Sequence, residues 1–138
     1  MSPEYHELTL YAISLYLAGR AEEAIPFFQK AIRLSPFGPT QIYREFGAAL
    51  RLTGRFEEAV WALKKAIQIA PDNINAHATL AATYSMMDRE SEARAEAAEV
   101  LRINPKFSMD HHAKNLANYK DQSQNDKLIN ALRKAGLK

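Results

Sequence analysis

Three prolines, Pro36, Pro71 and Pro105, stand 35 and then 34 residues apart, and Gly19, Gly54 and Asp88 keep the same two intervals. A recurrence near 34 residues is the period of a two-helix unit that stacks on copies of itself. Other columns follow the same ruler. Small residues recur at Ala24, Ala59 and Ala93 and at Ala12, Gly47 and Ala81, where two helices must cross closely. Larger apolar residues recur at Tyr11, Phe46 and Leu80, at Leu15, Leu50 and Tyr84, at Phe28, Leu63 and Ala97, and at Leu34, Ile69 and Ile103. Within each unit these positions lie three or four residues apart, which gathers them on one helix face. Composition agrees: 5 Gly and 6 Pro in 138 residues are too few for a many-turned β fold, and a 47% hydrophobic fraction supplies a core. The expectation is an all-α solenoid.

The segments GRAEEAIPFFQKAIRLSP, GRFEEAVWALKKAIQIAP and DRESEARAEAAEVLRINP carry these columns. They resemble the second helix of three successive tetratricopeptide-repeat (TPR) units, and the likeness extends over about residues 3–105. It implies a TPR superhelix: three helix-turn-helix repeats at about 5–38, 40–73 and 74–107, then a degenerate C-terminal helical hairpin at about 108–138 as a cap, all in one domain, 1–138. Acids open the second helices (Glu22, Glu23, Glu57, Glu58, Glu92) and bases close them (Lys30, Arg33, Lys64, Lys65, Arg102), matching the helix dipole. Pro26 falls inside a helix early enough to bend rather than break it. Pro39 suits a first helical position. Asp88 takes a turn site where glycine is expected. Ser108 is placed to cap a helix running to about Tyr119, and Ser123 with Asp126 resembles a capping box for a last helix that Gly136 ends. That helix has an apolar side of Leu128, Ile129, Leu132 and Ala135, with Lys127, Asn130, Arg133 and Lys134 facing water.

The exclusions are broad. No cysteine is present, so disulfides, thiol catalysis and cysteine-ligated metals are out. No apolar run approaches the roughly 18 residues that cross a bilayer, and MSPEYHELTL lacks the pattern of a signal peptide. These features point to a cytoplasmic chain with no membrane partner. Net charge is only +2. The lysines and arginines after residue 105 are interrupted by acids and lack an aromatic ladder, so nucleic acid is not an expected partner. Phosphate loops, HExxH and G-x-S-x-G are absent. His111 and His112 point about 100° apart on a helix and do not share a metal easily; the histidines are expected in solvent or groove contacts. No enzyme activity, cofactor or metal is expected.

In a TPR superhelix the first helix of each unit lines a concave groove. That face is expected to carry His6, Thr9, Ile13 and Tyr16, then Gln41, Arg44, Ala48 and Arg51, then Asn75, Ala78, Ala82 and Ser85, continuing to Met109, His112, Leu116 and Tyr119. The expected function is a scaffold that holds a peptide or protein domain there, with Arg44 and Arg51 able to meet a carboxylate. Chaperone-binding TPRs use a lysine and asparagine clamp; Thr9 and Ile13 occupy the matching positions in the first unit, so the resemblance does not imply that ligand. A narrower likeness lies toward the C-terminus. Asn104-Pro105-Lys106-Phe107-Ser108, Tyr119-Lys120-Asp121 and the LRKAGL stretch from Leu132 to Leu137 resemble the TPR region that follows the catalytic domain in bacterial class III adenylate/guanylate cyclases. That family often has proline where Asn118 stands. The likeness implies a non-catalytic regulatory or oligomerisation segment, with self-association through exposed apolar residues such as Phe37, Trp61 and Phe107.

Overall fold

The computed structural model describes residues 3–111 and 122–138. Among them every regular element is a helix: α1 (Pro3–Leu17), α2 (Ala21–Leu34), α3 (Thr40–Leu52), α4 (Phe56–Ile69), α5 (Ile74–Met86), α6 (Glu90–Ile103) and α7 (Gln122–Lys134). Residues 109–111 are also helical. The chain is therefore the all-α TPR-type solenoid that its period implies. Helices α1 and α2, α3 and α4, and α5 and α6 pair as hairpins, and α2 packs on α3 and α4 on α5.

The small columns do what their spacing demands. Ala12, Ala24, Ala59 and Ala81 are fully buried and Ala93 nearly so. At Gly47 a Cβ atom would lie 2.7 Å from Leu63 Cγ, so α3 and α4 cross too closely there for any side chain. A tilted aromatic series, Tyr16 to Phe28 to Phe46, ties the first unit to the second. Two expected columns are not buried throughout. Tyr11 is exposed and packs edge-on against Phe27. Leu34 and Ile69, the last residues of α2 and α4, are exposed as well.

Four helices end in the same way. After α1, α3, α5 and α7 the chain enters the left-handed region at Gly19, Gly54, Asp88 and Gly136. In each case the following amide reaches back to a carbonyl five residues earlier: Arg20 to Leu15, Arg55 to Leu50, Arg89 to Tyr84 and Leu137 to Leu132. This is the Schellman arrangement, and it fixes the tight hairpin turn. In the three repeat turns the residue after the left-handed one is arginine, whose guanidinium meets a glutamate three residues on: Arg20 with Glu23, Arg55 with Glu58 and Arg89 with Glu92. This fork stands where a side-chain N-cap is absent.

Local expectations shift by a residue or two. Pro26 lies within an unbroken α2. Pro39 is the N-cap of α3 rather than its first helical residue. Helix α7 already begins at Gln122, so Ser123 sits inside its first turn and not at a capping position. Ser108 does immediately precede a helical turn, whose continuation toward Tyr119 falls outside the described residues.

Candidate groove site

Helices α1, α3 and α5 present the groove stripe, but unevenly. His6, Gln41 and Asn75 are exposed, and Ile13 and Arg44 are half-buried. Thr9, Tyr16, Ala48, Arg51, Ala78, Ala82 and Ser85 are buried. Met109 is buried too, while His112, Leu116 and Tyr119 lie outside the described residues. Only part of the expected lining therefore faces solvent. Between α1 and α3 a recess of about 110 Å³ remains, bounded by His6, Thr9, Ile13 and Gln41 above Tyr5 and Ile42.

Sequence reading offered Arg44 as a free cation. In the structure its guanidinium lies 3.1 Å from the carboxylate of Glu45, a buried acid to which the Tyr16 phenol also donates. Glu45 was missed because its two partners come from different helices, one of them 29 positions away in sequence. Arg51 is only 4% exposed and so is poorly placed to greet a ligand from solution. Two buried polar atoms on the stripe, Arg44 Nε and Ser85 Oγ, have no hydrogen-bond partner among the described residues. Buried donors of this kind are normally satisfied.

His77 corrects the expectation that histidines sit in solvent or the groove. It is buried, with Nδ1 2.6 Å from Glu96 and Nε2 2.7 Å from the Pro71 carbonyl, so it pins the start of α5 to α6. Burial alone would lower its pKa. The hydrogen bonds to Glu96 and Pro71 and the charges of Glu96 and Glu99 together outweigh burial and raise it. Among the described residues no cluster of His, Asp and Glu is arranged to hold a metal ion, and no helix is long and apolar enough to cross a membrane.

Part of the third repeat's stripe is buried in a cluster shared with the C-terminal helix. Helix α7 packs on α5, and Ala78 and Ala82 share one buried apolar cluster with Leu128, Ala131, Leu132, Ala135 and Leu137. At the end of α7, Lys134 Nζ lies 2.7 Å from Asp88. On the outer layer, Ile32, Phe46, Leu50 and Trp61 line a second cleft, between α2 and α4, of about 470 Å³. Trp61 is half-exposed and meets Tyr43 edge-on.

The fold and stripe define a stacked helical-hairpin array. The tetratricopeptide-repeat description matches residues 50–118, and a second one matches residues 9–37; the chain belongs to the tetratricopeptide-repeat family. Among curated proteins a sequence comparison finds no match. Solved structures share the fold at low identity. The crystal structure of MamA is 20% identical with a TM-score of 0.73, covering 95% of this chain and 75% of its own. The first TPR of Spaghetti (RPAP3), bound to the HSP90 peptide SRMEEVD, is 16% identical with a TM-score of 0.72, covering 96% of both chains. The Yersinia enterocolitica type III secretion chaperone SycD, in complex with a peptide of the translocator YopD, is 15% identical with a TM-score of 0.73, covering 96% of this chain and 95% of its own.

Proposed function

We propose that this chain is a non-catalytic scaffold that binds a peptide or protein segment in its concave groove. The observation that carries this reading is the open recess between α1 and α3, where exposed His6 and Gln41 and half-buried Ile13 offer both polar and apolar contact. Two proteins of the same fold hold peptides, the HSP90 peptide in one and the YopD peptide in the other.

The test is a peptide array probed with the wild-type chain and with His6→Ala, Ile13→Ala, Gln41→Ala combined. His6 and Gln41 are exposed and Ile13 is only half-buried at the edge of the core, so helical circular dichroism of the triple variant is checked alongside. Peptides captured by wild type should lose at least about tenfold in affinity, the equivalent of about 1.4 kcal/mol. Equal capture by both proteins sinks the groove assignment.

A second reading takes the chain as a regulatory or oligomerisation segment of a bacterial adenylate/guanylate cyclase. The LRKAGL stretch favours it, although Leu132, Gly136 and Leu137 of that stretch also form the C-terminal turn of α7. Light scattering over a wide concentration range tests the oligomerisation form, which a strict monomer removes.

A further inference from the structure

Helix α7 breaks the contact pattern of the array. In the first two repeats, the second helix of a hairpin packs on the first helix of its own unit and of the next. No comparable contact links α4 back to α1 or α6 back to α3, yet α7 packs on α5. The buried cluster they share includes Ala78 and Ala82 of the stripe assigned to the groove. At the three stripe positions where the second unit has Arg44, Ala48 and Arg51, the third has Ala78, Ala82 and Ser85. A floor of small side chains lets another helix approach closely. Against it α7 sets Leu128, Ala131, Leu132 and Ala135, spaced three and four residues apart on one face, and the turn at Gly136 folds Leu137 back beside them.

The fit is imperfect in a telling way. Ser85 Oγ, buried on this face, finds no hydrogen-bond partner among the described residues. The Asp88–Lys134 pair at the edge is largely exposed, a setting in which ion pairs contribute little. Beyond the backbone hydrogen bond from Met109 N–H to the Lys138 carbonyl, α7 brings buried apolar side chains to this cluster, contact that another helix of the same pattern can supply.

We propose that α7 is a resident occupant of the array's own binding groove. The concave face of α5 is a site for an amphipathic helix with α7's apolar spacing, and a partner carrying such a helix enters by displacing α7. This deepens the groove reading above and rests on it for the identity of the concave face. Being tethered, α7 competes at a high effective concentration, so a free helix engages only weakly until α7 is released.

The test uses the full chain with a protease recognition sequence placed within residues 112–121 and cut after folding. The probe is a fluorescent synthetic peptide of residues 122–138, with a Leu128→Asp, Leu132→Asp version as control. The wild-type peptide should exchange into the cut protein and saturate. The control should bind at least a hundredfold more weakly, and the uncut chain should bind the wild-type peptide at least tenfold more weakly than the cut one. The proposal is overturned if the cut segment never exchanges, if both peptides bind alike, or if departure of α7 abolishes the helical circular dichroism of the body. Exchange that succeeds while the His6, Ile13, Gln41 variant captures peptides normally leaves this site standing and removes only the recess between α1 and α3.

Discussion

At Asp88 two residue-level effects oppose each other. Its φ of 58° is a conformation that glycine adopts freely and aspartate does not. Its carboxylate, held below its usual pKa first by the hydrogen bond from Lys134 and then by that ammonium's charge, joins α7 to the α5–α6 turn. Both side chains are largely exposed, so the backbone term decides the sign. Asp88→Gly should raise Tm by about 2–4 °C, as in the three turns that already use glycine. Asp88→Ala keeps the strain and loses the ion pair, so it should melt below wild type. Calorimetry of both variants checks the pair of signs. Gly47 presents the reverse balance. Alanine is the better helix former by about 1 kcal/mol, but its Cβ would press on Leu63, which is fully buried and has nowhere to go. Overpacking of that kind costs about 1–3 kcal/mol, so Gly47→Ala should destabilise by about 1 kcal/mol in urea titration. A gain in stability would show that α3 and α4 can separate. Both positions were legible in the sequence, because each lies in a column repeated three times. Glu45 and His77 were not: each has a partner on another helix, Tyr16 and Glu96, and a one-dimensional period carries no information about which buried charges will meet.

Elements are joined here by polar pins as well as by apolar columns, and the pin at His77 makes the α5–α6 hairpin pH-dependent. Both ring nitrogens face acceptors, Glu96 and the Pro71 carbonyl, an arrangement that only the doubly protonated ring satisfies. The folded-state pKa is raised, so the native hairpin binds this proton more tightly than the unfolded chain does. The stabilisation is complete below the unfolded value of about 6.5 and is lost as pH rises through the higher folded value. The wild-type melting temperature should therefore fall between pH 6 and pH 8.5. Glu96→Gln should flatten this part of the profile by removing the charge, while its amide oxygen can still accept a hydrogen bond. A profile equally steep in wild type and Glu96→Gln would show that other groups set the dependence. The element that sequence reading placed least well was α7. Its apolar face was read from Leu128, Leu132 and Ala135, but a helix face does not reveal which surface it covers. The period had lapsed by that point, and the period was what assigned neighbours to every other helix.

At the scale of the whole molecule the buried residues divide into two clusters, and only one depends on α7. The first runs from Tyr5 through Phe46 to Ala76 and draws on α1 to α5. The second, from Val60 to Leu137, contains the α7 residues Leu128, Ala131 and Leu132 together with Ala135 and Leu137 just beyond it. Solenoid units are stabilised by nearest neighbours, so damage at one end is felt there first. Removing residues 121–138 takes three leucines and two alanines out of the second cluster, the leucines alone burying about 1.5–3 kcal/mol each of apolar surface by transfer rules. It also uncovers Ala78 and Ala82. The shortened chain should keep most of its helical circular dichroism at 20 °C, melt earlier than the full chain, and self-associate through the uncovered α5 face. Hydrogen exchange should show protection falling first in α5 and α6 while α1 to α3 hold. Even loss of protection along all six helices would mean that the two clusters behave as one cooperative unit. An unchanged melt with no added self-association would mean that α7 contributes no net stability where it lies, and that its contact with α5 is too weak to compete with any partner.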